Sequence, residues 1–403
     1  MSHIEDFNIK WRRAEMPMYP NVDAAEKLKE LYEKARSASD AFRWNNTSDI
    51  KQKINSFMAN VPEKTIYAER PLFLPDKSYT ELFFLSQIKD FPDKYWEEEA
   101  SCDNGNFYAI NSIRCLRDER RTKKFLAGLE ESVQKLSKSR EEIHICDAGC
   151  GAIPIFSIYA ALSSTKVRAT GLELHHDSVE IATKLIHALG LENRVNIVEF
   201  DATKYEPDRQ FDLLISETMG SALTREPFVQ IMNNLASYVK SDGIILPNRV
   251  LVKVGTISVD DFFFGPTGYF KTGNLIGHYK RPDGMPIPKS QYVIIGDDVA
   301  CYHELNWNSV AEFQPGDELE KISFTVQNPA DVSTDYLVIL ASEVDIGNQH
   351  LDLYDSFITI PQSLRYPEEV IKTLKYRRGP IKVEYMPGEK IENIAVCDCV
   401  ETA

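Results

Sequence analysis

Between residues 105 and 247, short apolar runs alternate with amphipathic stretches, and this rhythm restricts the possible folds more than any other feature. The runs "IHICDAG", "VRATGLEL", "VNIVEFD", "FDLLISE" and "GIILPNRVLVKV" read as strands. The segments between them, notably "DSVEIATKLIHALG" and "EPFVQIMNNLASYVK", carry the three-to-four spacing of helices. Apolar runs separated by helices indicate a parallel sheet covered on both faces, because such strands are buried on both sides.

The rhythm differs on either side. Before residue 105, "NVDAAEKLKELYEKARSASDAF" and "TSDIKQKINSFMANV" predict helices. Asp23 is a candidate cap of the first, and Ile50, Ile54, Phe57 and Met58 form an apolar face on the second. After residue 248, "VLVKVGTISV", "KISFTVQN", "YLVILASEVDI", "SFITIP" and "PIKVEYM" read as short strands of an antiparallel sheet or barrel. A stretch rich in Gly, Pro and aromatics near 262–290 reads as an inserted arm. The expected organisation is a mostly helical region at 1–104, an α/β Rossmann-like domain at 105–247, and a β-barrel-like domain at 248–403.

Composition narrows the function classes. A net charge of −15 argues against a broad nucleic-acid surface and suits a cationic substrate. No run of about 18 apolar residues is present, and the N-terminus lacks the apolar core of a secretory signal, so a cytoplasmic protein is expected. The seven cysteines form no CxxC pair and no zinc spacing, so reduced thiols and no metal are expected.

The strand ends carry the chemistry. "IHIC" runs into "DAGCGAIP", placing Asp147, Gly149 and Gly151 where a backbone can turn tightly against a ligand. Glu173 ends the second strand, where an acid can accept both hydroxyls of a ribose. Asp201, with the Ala202 amide beside it, ends the third and can meet an adenine amino group; Glu217 ends the fourth. Acids at successive strand ends are costly without partners, so adenosine binding is expected. A pyrophosphate fingerprint needs a third glycine where Pro154 stands, and Asp147 would sit badly beside a pyrophosphate. S-adenosyl-L-methionine, with its cationic methionine end, is the better match.

With those residues in view, the chain resembles class I S-adenosylmethionine-dependent methyltransferases, and within them the protein arginine methyltransferase family. "LRDERRT" is similar to the family segment whose last arginine, here Arg121, holds the methionine carboxylate. "DAGCG" matches the cofactor loop, with Ile153 where the family usually has another glycine. "SETMGSALTRE" matches the double-glutamate loop, including Met219-Gly220, and "YVKSDGIILPNRV" matches the passage into the barrel. The resemblance implies that Glu217 and Glu226 grip a guanidinium by charge-assisted hydrogen bonds while methyl transfer to its nitrogen leaves S-adenosyl-L-homocysteine. It also implies a homodimer, with an arm of one subunit packed on the other's cofactor domain.

Two departures bear on the substrate. The family's Thr-His-Trp loop falls here at "SLRYPEEVIKTL", and no histidine occurs after His350; the helix covering the cofactor offers only Phe107 and Tyr108. An altered barrel side suits free L-arginine or a small guanidine slightly better than protein arginine, with Arg365 or Tyr366 meeting the free carboxylate. Protein arginine, another amine or hydroxyl of a small metabolite, and a catalytically silent subunit are the alternatives.

Overall fold

The computed structural model describes residues 47–59, 109–116, 118–224, 226–258, 308–317, 321–326, 336–353, 355–356, 358–359, 381–388 and 395–398. The expected helix at 21–42, the arm near 262–290, Phe107, Tyr108, Arg365 and Tyr366 lie outside the described residues.

Five strands form one parallel sheet: β1 (Ile143–Ala148), β2 (Val167–Glu173), β3 (Val195–Glu199), β4 (Phe211–Ser216) and β5 (Val239–Leu246). Their order is β3-β2-β1-β4-β5, with every neighbouring pair parallel. The sequence order reverses direction between β1 and β4, and α/β sheets bind ligands at the carboxyl ends of strands at such a point. All six β4 residues are buried, which explains why this run is mostly apolar rather than alternating; of its two polar residues, Asp212 accepts the His144 N–H at 2.9 Å and the Ser216 hydroxyl donates to the Ala148 carbonyl at 2.8 Å.

Helices α1 (Thr47–Ala59), α2 (Ala109–Cys115), α3 (Glu119–Ser137), α4 (Ile155–Ser163), α5 (His176–Ala188) and α6 (Phe228–Ala236) complete the α/β part. α1 packs on α4 through Ile50, Ile54 and Met58, all at most 7% exposed. Polar groups fix this docking. Lys51 Nζ donates to Glu130 Oε1 on α3 at 2.6 Å, and the Tyr159 hydroxyl donates to Glu130 Oε2 at 2.8 Å while lying 2.7 Å from the Asn55 side-chain oxygen.

The run "GIILPNRVLVKV" is two strands rather than one. Pro247, which has no N–H for a ladder, separates β5 from β6 (Arg249–Ser258). β5 closes the parallel sheet, whereas β6 joins a four-stranded sheet ordered β10-β9-β6-β7. That sheet contains β7 (Asn308–Phe313), β9 (Tyr336–Ile346) and β10 (Gln349–Leu351), and its described pairs are antiparallel. A three-stranded antiparallel sheet contains β8 (Ile322–Val326), β11 (Ile381–Tyr385) and β12 (Ala395–Asp398).

"SFITIP" departs from its expected strand. Its described part is a buried turn in which the Ser356 N–H donates to Thr359 Oγ1 at 3.0 Å and the Thr359 N–H returns to the Ser356 carbonyl at 3.0 Å. Side-chain hydroxyls that satisfy the local backbone in this way compete with a strand ladder.

Candidate active site

A cavity of about 320 Å³ opens at the carboxyl ends of β1, β2 and β4, within the size range of small-molecule sites. Arg121, Gly149, Gly151, Glu173, Asp201, Ala202, Glu217, Met219 and Glu226 all line it. The fold therefore gathers residues that lie up to 105 positions apart in the chain.

Arg121 is placed by helix capping. Asp118 caps α3, its Oδ1 accepting the Arg121 N–H at 3.3 Å, which starts the helix with Arg121 in the first turn. From there, Arg121 Nη1 donates to Glu217 Oε1 at 2.8 Å and Nη2 to the Cys115 carbonyl at 2.6 Å. The guanidinium thus spans α2, α3 and the end of β4. Both partners of the ion pair have side chains at most 10% exposed, so removing one would take away a main partner of the other.

The glycine loop is pressed between neighbours. A Cβ on Gly149 would stand 2.1 Å from Thr218 Cγ2, and Gly149 adopts φ +74°. Only a residue without a side chain lets the glutamate loop lie this close to the cofactor loop. On the other side, the Ala152 N–H donates to Ser112 Oγ at 3.1 Å, tying α2 to the same loop.

Glu173 lines the cavity at 8% exposure. Its Oε2 accepts the Gly151 N–H at 3.0 Å and its Oε1 the His175 N–H at 2.8 Å. Burial raises its pKa, and those backbone donors partly oppose the shift. The carboxylate retains acceptor capacity for a ligand hydroxyl. Asp201 closes an Asx turn, with Oδ1 accepting from the Thr203 N–H and hydroxyl at 3.0 and 2.7 Å, and Oδ2 lies 2.9 Å from Lys204 Nζ. Burial raises its pKa, but these Thr203 and Lys204 contacts outweigh it and hold the carboxyl below its ordinary value.

Asp147, expected near the methionine end of the cofactor, sits beneath the glycine loop. Although it follows the apolar run of β1, it is only 1% exposed and does not line the cavity. Its Oδ2 accepts the Ser157 N–H at 3.0 Å and the Ser157 hydroxyl at 2.8 Å, in the first turn of α4. Burial pushes its pKa up to about 6 against those bonds, with nearby Glu173 adding to the rise.

The loop from Glu217 to Glu226 is built from an unusual turn. Ala222 and Leu223 both sit in the left-handed region, at φ 55° and 54°, which non-glycine residues seldom adopt. Cys115, which sequence reasoning does not single out, stands beside this loop. Burial pushes its thiol up to about 11; Arg121 lowers the value, while Glu217 and Glu226 raise it. One thiol therefore feels the fields of Arg121 and both glutamates, which reflects how tightly these groups converge.

Residues 145–243 match the model of a methyltransferase domain. An uncharacterized protein of Methanocaldococcus jannaschii is 31% identical over 113 residues, which are 28% of this chain and 42% of that protein. A probable protein arginine N-methyltransferase 6 of Arabidopsis thaliana is 26% identical over 147 residues, or 36% of this chain and 32% of that protein. Protein arginine N-methyltransferase 2 of Xenopus tropicalis is 22% identical over 212 residues, or 51% of this chain and 47% of that protein. The chain resembles the protein arginine methyltransferases. Each match spans less than half the length of the curated relative.

The residues that line the cavity fit S-adenosylmethionine. Side chains are absent where Gly149 and Gly151 line the cavity, a carboxylate with spare acceptor sites ends β2, and a guanidinium stands at its edge. Ile153, in the place of a family glycine, lines the cavity at 4% exposure and leaves it open. Asp118 and Ser157 build the site without being singled out by sequence reasoning. A D-x-x-R capping pattern ahead of α3 is the sequence signal that points to Asp118. No helix among the described residues is long and apolar enough to cross a membrane.

Proposed function

We propose that the chain transfers a methyl group from S-adenosylmethionine to a guanidino nitrogen of arginine. The observation that carries this reading is that Glu217 and Glu226 line the same cavity as the Gly149–Gly151 loop and Glu173. Two carboxylates beside a cofactor-sized cavity suit a planar cation better than a neutral acceptor. Glu217 lines the cavity and accepts an Arg121 guanidinium N–H through Oε1 at 2.8 Å, which supports a carboxylate suited to guanidinium pairing.

When bound, the cofactor would supply an electrophilic methyl on a sulfonium, which an arginine nitrogen would accept as the C–S bond breaks and that nitrogen gives up a proton. Glu217 and Glu226 would fix the guanidinium plane and draw its positive charge toward their side, favouring nucleophilic character at the opposite nitrogen. A carboxylate or water takes the released proton. Positioning and charge stabilisation of this kind can contribute several kcal/mol. Arg121 would hold the cofactor carboxylate, Glu173 its ribose hydroxyls, and Asp201 with Ala202 its adenine edge. Met219, 1% exposed and lining the cavity, would supply an apolar wall beside the guanidinium. Asp147 supports this arrangement from below by capping α4.

In this reading, 105–247 is the cofactor domain and the antiparallel sheets after 248 form the barrel-like substrate domain. A homodimer made through the 262–290 arm belongs to the same reading. The named relatives favour arginine within a protein. The preference for free arginine rests on Arg365 and Tyr366, which lie outside the described residues.

The test is product mass spectrometry with isotope-labelled S-adenosylmethionine, comparing arginine-rich peptides with free L-arginine. Label on peptide arginine is the expected result, and label on free arginine alone moves the substrate to a small molecule. Binding of S-adenosylhomocysteine with no label on any guanidine would overturn the proposal.

A further inference from the structure

The loop that carries both glutamates is shaped by residues far away in the chain. Its centre, Ala222–Leu223, holds two consecutive non-glycine residues at φ 55° and 54°. Conformations of this kind persist when surrounding contacts over-determine them. Those contacts come from the antiparallel sheets. The Ala222 N–H donates to Ser342 Oγ on β9 at 2.7 Å; Ser342 is 1% exposed. The Leu223 carbonyl accepts the Gly388 N–H at 2.9 Å, just after β11. The Gly388 carbonyl in turn accepts Gln230 Nε2 on α6 at 2.8 Å, four residues beyond Glu226.

Gly388 has φ +84°, and a Cβ there would stand 2.9 Å from Gln230 Nε2 and 3.0 Å from Val229 Cβ. Residue 388 therefore touches the glutamate loop at Leu223 and α6 behind Glu226 at once. Within the loop, Gly220 leaves no room for a side chain, because its Cβ would meet the Thr224 carbonyl at 2.4 Å.

We infer that Ser342 and Gly388 are positioning residues that set the separation and aim of Glu217 and Glu226, and so determine how well the site grips a guanidinium. This rests on the proposed arginine methylation. Neither residue lines the cavity, so each acts through the loop. Without the Ser342 hydroxyl, the buried Ala222 N–H loses this acceptor and the turn relaxes toward ordinary backbone angles. Glu226 then shifts against Glu217, which β4 and Arg121 hold in place.

The experiment compares full-length wild type with Ser342→Ala, Gly388→Ala and the hydroxyl-retaining Ser342→Thr. Four quantities are read: acceptor KM, kcat, the dissociation constant of S-adenosylhomocysteine, and hydrogen exchange of amides 217–226. Ser342→Ala and Gly388→Ala should each raise acceptor KM by about tenfold, speed exchange in that loop, and leave cofactor-product affinity within about twofold. Ser342→Thr should recover most of the loss. If acceptor KM and cofactor affinity worsen together, the residues are merely structural and the inference fails. It fails equally if exchange in 217–226 does not change. If wild type methylates no guanidine while Ser342→Ala still loosens only this loop, the pinning stands and the proposed reaction falls.

Discussion

Asp147→Asn tests the balance of forces under the cofactor loop. The Asp147 carboxyl is 1% exposed, and burial raises its pKa from 3.8 to about 6. In the unfolded chain it titrates near its ordinary value. Between these two values the folded protein keeps a proton that the unfolded chain has released, so the carboxyl's contribution to stability falls as pH rises through that window. At about 1.4 kcal/mol per unit, the full effect amounts to about 3 kcal/mol. Asparagine has nearly the same shape, can still accept from the Ser157 N–H, and carries no charge at any pH. The stability of Asp147→Asn relative to wild type should therefore increase with pH, by about 1.5 kcal/mol between pH 5 and pH 8. Urea unfolding of both proteins across that range measures the difference, in which contributions from titrating groups other than nearby Glu173 cancel. A flat difference, or one that shrinks as pH rises, would refute the claim that a buried charge is held under this loop at neutral pH.

Four further outcomes follow from the packing. Gly149→Ala should destabilise the fold by about 3 kcal/mol or more, since φ strain and a 2.1 Å clash with Thr218 act together. Gly190→Ala, at φ +66° with nothing within 4 Å, should cost only about 1–2 kcal/mol in parallel thermal melts; equal costs would discount the clash. Arg121→Lys keeps the charge but cannot reach Glu217 and the Cys115 carbonyl together, so calorimetry should show S-adenosylhomocysteine binding weakened by about tenfold or more. Ile54→Ala should cost about 2–4 kcal/mol and show as faster hydrogen exchange across 47–59, whereas unchanged exchange there would mean that α1 is not held by its apolar face.

The parallel sheet is legible in the local pattern of residues alone. A strand buried on both faces is predominantly apolar, and "FDLLIS", through Phe211, Leu213, Leu214 and Ile215, shows that directly. The acids at the strand ends stand out for the same reason, because they interrupt apolar runs. Glu173, Asp201, Glu217 and Glu226 meet at one cavity, as their places after the strands imply. The break at Pro247 is also written in the sequence, since its missing N–H marks the point where one sheet gives way to the next. Apolar residues on both sides of that proline nonetheless read as one continuous strand, because hydrophobicity carries no information about which sheet a segment joins.

Sequence alone determined which residues end the parallel strands, and so which chemistry could gather there. Tertiary structure decided what each does. Asp147 and Glu173 look alike as acids after apolar runs, yet the start of α4 takes the first into the interior while the second remains at the cavity wall. Ser342 and Gly388 lie 120 and 165 residues beyond the turn they hold, at Ala222 and Leu223. No local periodicity can encode such a partnership. It exists only because two antiparallel sheets, assembled from later segments, bring one hydroxyl and one amide to a turn whose backbone angles the local sequence does not favour.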